Sequence, residues 1–190
     1  MKFSFAGVIG VALGMLCACG AMAQSSTYHR LSVNEFEGKP GGSLPGAVAY
    51  TNCSIDFHYR VTNDKRNNFN VAFDIKLVFN RDKSWIDKSR ILSNNMMAYI
   101  LNHEQGHYTI AYMEQQELLR TIGKTCFGAN YQAQATAIFD RIDAKYKELT
   151  DNYDEDTRHS LDKTQQHSWD QYFKKRLTYM PPARMYASLP

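Results

Sequence analysis

SNNMMAYILNHEQGHYTIAYMEQQELLRTIG, residues 93–123, changes the rhythm of the chain from that of strands to that of a helix. Its apolar residues, among them Met96, Ile100, Leu101, Ile110, Met113, Leu118 and Leu119, recur at helical spacing. Ser93 or an adjacent Asn offers an N-cap, and Gly123 offers a stop. Inside the helix stands His103-Glu104-Gln105-Gly106-His107, an H-E-x-x-H. Histidines at i and i+4 lie one turn apart on one face, so both imidazoles can reach one metal ion while Glu104 points to its open side. Zinc suits imidazole ligands, lowers the pKa of a bound water and polarises a carbonyl, although the spacing alone also admits other divalent metals. Glu104 then takes the water's proton and passes it to the leaving nitrogen. The motif therefore predicts a metallopeptidase with one Zn²⁺ per chain and Glu104 as its general base. Gly106, in a helix interior, costs about 1 kcal/mol relative to Ala, which fits either a substrate strand or another backbone passing close by or a glycine tolerated by accident.

Upstream the period is two. Ile55, Phe57, Tyr59 and Val61 alternate with Ser54, Asp56, His58 and Arg60, and Phe69, Val71, Phe73, Ile75, Leu77 and Phe79 repeat the pattern. The polar segment 62–68 reads as the hairpin connection, and the turn-rich stretch 24–45 as an irregular lead-in. Downstream, Ala135, Ile138, Phe139, Ile142, Tyr146 and Leu149 predict a helix over 131–149, and a third is expected from near Asp154 to about Leu177. The fold class is α+β: an N-terminal antiparallel sheet, the H-E-x-x-H helix and two further long helices. Residues 24–180 form one domain, and 181–190 a tail that Pro181-Pro182 keeps from extending the helix.

A chain of 190 residues with 44% hydrophobic content can bury a core, which excludes wholesale disorder. A balance of 22 basic against 19 acidic residues, with no basic block longer than Lys174 to Arg176, predicts no nucleic-acid surface. The long apolar run is N-terminal: Lys2, then Phe3 to Ala21, then Ala21-Met22-Ala23. This reads as a signal peptide over 1–23, a mature chain starting at Gln24 without an integral membrane span, and a periplasmic or secreted destination. Leu16-Cys17-Ala18-Cys19 keeps open the alternative of a lipid anchor on Cys19 at the outer membrane. Cys53 and Cys126 remain as an even pair bound for an oxidising space. One disulfide is expected, closing a loop of about 70 residues and contributing on the order of 4 kcal/mol.

Two histidines leave zinc short of the three protein ligands usual in a catalytic site. Ile110 and Met113 stand where the metzincin extension needs Gly and His. His159, Gln166 and Trp169 fall at i, i+7 and i+10, along one side of the expected third helix, which makes His159 the expected third ligand. Asp154 is the alternative, either as the ligand or as that helix's N-cap. Asp140, Asp143 and Glu148 lie off the apolar stripe and read as solvated. His167 ranks below His159, and His29 and His58 read as surface residues. Tyr153 is a candidate oxyanion stabiliser, with packing as its plainer role.

The stretches Asn34 to Pro40, Phe79 to Trp85, Leu101 to Ile110, and Tyr153-Asp154-x-x-Thr157-x-His159 with Gln166 and Trp169 resemble bacterial domain-of-unknown-function family 922. The resemblance extends over nearly all of the mature chain and implies a small zincin-like fold and an exported zinc-dependent protease. Tyr108-Thr109 stands where the family leads one to expect Phe-Asp, and Ser160 where it leads one to expect Gly. The substrate is then a peptide or protein, held in extended form at an unpaired strand edge such as that of 69–79. The competing readings are a non-catalytic zinc-binding or structural envelope protein on the same fold, and an interaction module built on Trp85, Trp169 and the tyrosines.

Overall fold

Two elements of the expected pattern, the hairpin and the helix after it, form where their periodicities place them. The computed structural model describes residues 27–41, 46–63 and 69–180. The signal peptide with Cys19, the centre of the hairpin connection and the tail therefore lie outside the described residues. The elements run β1 (Ala49–Tyr50), β2 (Cys53–Asn63), β3 (Phe69–Phe79), β4 (Trp85–Ile86), α1 (Asn94–Ile122), α2 (Tyr131–Thr157) and α3 (Lys163–Tyr179), with short 3₁₀ turns at Val33–Glu35 and Lys88–Arg90. The architecture is α+β, with two small antiparallel sheets and three helices.

β2 and β3 pair along their whole length, from Cys53 opposite Phe79 to Asn63 opposite Phe69. Strict alternation gives the hairpin one apolar face, which must be covered. α1 and α2 cover it: Val71, Phe73 and Ile75 share a core with Ile110, Met113 and Leu118 of α1 and with Ala135, Ile142 and Tyr146 of α2. The ring of Phe57 lies 5.2 Å from that of Phe139. The amide of buried Gln115 donates to the Ile75 carbonyl (3.1 Å), which fixes α1 along the hairpin. A second, smaller core joins Leu31 and Phe36 of the lead-in to Ile86, Tyr108 and Tyr112. β1 pairs with β4 beside it. None of the described helices is long and apolar enough to cross a membrane.

α1 begins as expected, with the Ser93 hydroxyl accepting from the Met96 amide (3.1 Å). The boundary between the next two helices differs from the sequence reading. α2 continues to Thr157, and α3 starts only at Lys163, capped by Asp162, whose carboxylate accepts from the amides of Thr164 and Gln165. Asp154 therefore lies in the last turn of α2 and caps nothing, while His159 lies in the turn between helices. The extension is held by Tyr153 and Thr157, both fully buried and one turn apart, within an otherwise polar stretch that hides the apolar period.

Cys53 and Cys126 are not joined, contrary to the disulfide expectation. Cys53 opens β2 and shares a cleft with Ala111 and Glu114, in the middle of α1, whereas Cys126 lies beyond that helix's end. Eleven residues of helix separate Ala111 from Ile122, about 17 Å of rise. A disulfide allows only about 4.4–6.8 Å between Cα atoms. Adding reductant should therefore leave the thermal unfolding midpoint of the folded protein unchanged. A drop of several degrees would show a bond that the fold does not accommodate.

The close approach of α1 and α2 occurs at Gly106. A Cβ at this position would overlap the phenol oxygen of Tyr153 and lie within 2.8 Å of its ring carbon Cε1. The neighbour that requires the glycine is thus a buried side chain of the same chain. Helix propensity alone predicts that Gly106→Ala stabilises by about 1 kcal/mol. Overpacking against Tyr153 predicts the opposite sign, a loss of about 1–3 kcal/mol, measurable by urea unfolding.

Candidate metal centre

His103 and His107 project from one face of α1, and their Nε2 atoms lie 3.2 Å apart. Asp154, from the last turn of α2, places Oδ1 3.2 Å from Nε2 of His103 and 3.1 Å from Nε2 of His107. The three atoms form a nearly equilateral triangle. Ligands at about 2.0–2.2 Å from a tetrahedral zinc are separated by roughly 3.3 Å, so the triangle matches a shared ion. Among the described residues these three side chains form the group able to hold a metal ion.

The electrostatics agree with the spacing. Glu104 Oε2 is buried and has no hydrogen-bond partner, and Asp154 Oδ1 is buried with only imidazole nitrogens facing it. A buried carboxylate oxygen without a partner is costly unless a cation or a proton donor faces it. Burial pushes the Asp154 carboxyl upward, but the two imidazoles outweigh it and hold the group well below the usual carboxylate range. Burial likewise opposes charging of His107, yet Asp154 and Glu104 outweigh it and raise that imidazole. Glu104 itself is buried, and its backbone carbonyl accepts from the Thr51 hydroxyl (3.3 Å).

His159, the expected third ligand, is placed differently. Its side chain is 78% exposed, and its Nδ1 lies 3.4 Å from Asp154 Oδ1, at the rim of the group. The turn that carries it holds three successive residues at positive φ: Arg158, His159 and Ser160. The structure thus gathers His103, His107 and Asp154 and leaves His159 outside the triangle. The cause is the helix boundary: with α2 extended to Thr157, Asp154 faces α1 and His159 falls past the helix end.

The remaining candidates take other places. Asp140, Glu148, His58 and His167 are exposed, Asp143 pairs with Lys147 (2.7 Å), and His29 with Glu35 (2.8 Å). Tyr153 is fully buried and stacks on His103 at 4.7 Å and 16°, with its hydroxyl 3.0 Å from the His103 carbonyl, so it supports the site from below. Trp85 is buried, and Trp169 donates to Asp156 (3.0 Å), so neither tryptophan forms an open aromatic surface. Two residues that the sequence reading named without giving them a role stand behind His103: Thr157, and Gln166 of α3. Beyond His107, a cleft of about 230 Å³ opens between β2, α1 and α2, lined by Cys53, Ile55, Ala111, Glu114, Phe139 and Asp143. Burial and the nearby Asp143 push Glu114 up to about 7, and burial and the carboxylates of Glu104 and Glu114 push the Cys53 thiol up to about 12.

A profile of the family described as bacterial protein of unknown function (DUF922) matches residues 26–160, which contain the whole ligand triangle and most of the described fold. No curated protein and no solved structure matches the chain.

The two titrating ligands set opposite pH limits on the metal-free protein. The depressed Asp154 carboxyl contributes stability present above the unfolded value of about 3.9 and lost as pH falls through its folded value. The raised His107 imidazole contributes stability present below about 6.5 and lost as pH rises through its folded value. Urea unfolding of the metal-free chain should therefore show maximal stability between about pH 4 and 6.5 and a decline above. Asp154→Asn should shallow that decline.

Proposed function

The chain belongs to the DUF922 family, and for this member we propose zinc-dependent hydrolysis of peptide bonds in the cell envelope or outside the cell. The observation that carries the reading is the His103, His107 and Asp154 triangle together with the buried, unpartnered Oε2 of Glu104, which follows His103 in sequence and whose charge acts on His107. His103, His107 and Asp154 would hold a Zn²⁺ ion, whose contribution is to acidify a water and polarise the scissile carbonyl. Glu104 Oε2 keeps its lone pairs free of any protein donor, so it can accept a proton from water and return it to the departing amide nitrogen. Tyr153 and the apolar cores beneath keep bulk water from the inner side of His103. A two-histidine, one-carboxylate set with an acid inside the H-E-x-x-H helix is the donor chemistry of a zincin-like peptidase.

An extended peptide is the substrate that suits these surroundings. Among the described residues the β2–β3 sheet has no third strand, and a strand edge can pair with an extended chain. The signal-peptide reading of residues 1–23 supports export, with soluble release preferred over a lipid anchor on Cys19.

Elemental analysis of purified protein should find one zinc per chain. His103→Ala and His107→Ala should abolish tight binding, and Asp154→Ala should weaken it far more than His159→Ala. The reverse ranking would restore His159 as the third ligand. Glu104→Gln removes a proton acceptor but no ligand, so zinc should stay while hydrolysis of unfolded protein substrates falls by roughly 10²–10⁴-fold. Stoichiometric zinc in a wild type that cleaves nothing would assign the chain to non-catalytic zinc binding.

A further inference from the structure

Behind His103, on the side away from the ligand triangle, four polar side chains form a closed circuit between α1 and α3. Nδ1 of His103 lies 3.2 Å from Gln166 Oε1. Gln166 Nε2 lies 3.0 Å from Asp170 Oδ1. The Asn102 amide nitrogen donates to both oxygens of Asp170 at 3.1 Å, and Asn102 precedes His103 on α1. His103 and Gln166 are each 4% exposed, so water does not substitute for either partner.

The circuit assigns the proton on His103. A carboxylate only accepts, so the atom of Gln166 that faces Asp170 is the donating nitrogen and the atom that faces His103 is the accepting oxygen. Turning the amide over would set Oε1 against Asp170 and forfeit that bond. The Tyr153 hydroxyl has one proton, for which the His103 carbonyl (3.0 Å) and Gln166 Oε1 (3.1 Å) are the acceptors in reach, and its oxygen accepts from Gln166 Nε2 at 2.9 Å. With two lone pairs, Gln166 Oε1 keeps one for the imidazole whichever acceptor the phenol takes. Thr157 gives its own proton to the Tyr153 carbonyl (2.6 Å), so its oxygen, 3.4 Å from Nδ1, is also an acceptor. Every group facing Nδ1 accepts, so Nδ1 carries a hydrogen and Nε2 is the nitrogen turned to His107 and Asp154, where a metal ion would take the place of any hydrogen shared with Asp154 Oδ1.

We propose that Gln166 is the positioning residue of this site: it locks His103 in the Nδ1–H tautomer and so makes Nε2 available to a metal ion. The proposal rests on the reading of His103 as a ligand and adds a role for α3, which lies beyond the segment matched by the family. Removing the acceptor leaves the buried Nδ1–H without a good partner and frees the ring to hold its proton on Nε2, which blocks coordination. Partners of this kind typically change metal affinity by 10–100-fold.

The test uses the full chain with zinc as the probe. In the metal-free protein, above the ordinary imidazole pKa of about 6.5, ¹⁵N NMR of the histidine side chains should show His103 protonated at Nδ1. Gln166→Leu should lose that signature and weaken zinc binding by roughly 10–100-fold. Gln166→Glu combined with Asp170→Asn exchanges acceptor and donor within the circuit and should recover both. Trp169→Phe, which breaks the tie of α3 to Asp156 but keeps an aromatic ring against Tyr153 and leaves the four side chains of the circuit intact, should leave zinc affinity near wild type. An Nε2–H tautomer in the wild type overturns the proposal, and so does wild-type zinc affinity in Gln166→Leu. Should Gln166→Leu fail to fold, the wild-type tautomer and the exchange variant decide the matter. A wild type that holds the tautomer yet binds no zinc would defeat the metal reading and leave the assignment of the proton standing.

Discussion

The missing side chain of Gly106 is the constraint on which the site depends. The phenol of Tyr153 occupies the space that any Cβ at 106 would fill, and this brings α2 against α1 at the turn that carries both histidines. Once Tyr153 is seated under His103, the next residue of the same helix, Asp154, has little choice of position. Its Oδ1 arrives 3.1–3.2 Å from both imidazoles because a helix is stiff over one residue. A glycine that weakens α1 locally is thus the condition for a carboxylate from α2 to join the two histidines.

The same packing makes the site electrostatically demanding. Glu104 buries an oxygen that no donor satisfies, and Asp154 buries one that only imidazoles face, in surroundings built from Tyr153, Thr157 and the helix interior. Low local polarity makes an unpaired charge expensive and strengthens its attraction for a cation. Asp154 is held as a carboxylate by hydrogen bonds from the two imidazoles and by their charge, so its Oδ1 already sits where an ion shared with them would be held. Glu104, a neighbour of His103 in sequence, keeps its acceptor unengaged, as a proton-transferring group must.

Supports for this arrangement come from three directions. Thr51, beside β1, donates to the Glu104 carbonyl. The lead-in segment reaches the next residue of the same helix, where the Leu31 amide and the Tyr28 hydroxyl bond to Gln105. α3 closes the rear through Gln166 and through Asp170 with Asn102. The inner side of His103 is therefore dry and bonded, while Asp154 and His159 form the side open to solvent.

What the sequence determined by itself is what repeats locally. The hairpin over 53–79 and the helix over 94–122 are legible because a period of two, a period near 3.6, a serine cap and a terminal glycine are properties of neighbouring residues. His103, Glu104 and His107 are legible for the same reason, since i and i+4 share a face in any helix. The third ligand was not, because residues 150–157 read Thr-Asp-Asn-Tyr-Asp-Glu-Asp-Thr, and only Tyr153 and Thr157 mark the buried side. That polarity places the helix boundary too early and turns attention from Asp154 to His159. The Cys53–Cys126 expectation failed on the same ground: an even count says nothing of distance, and β2 meets α1 at its middle while Cys126 follows its end. Gln166 stands 63 residues from His103, and its relation to Nδ1 exists only after α3 has packed. Tertiary structure decided these points because they depend on how stiff rods lie against one another, and here that was set by a tyrosine fitting over a glycine.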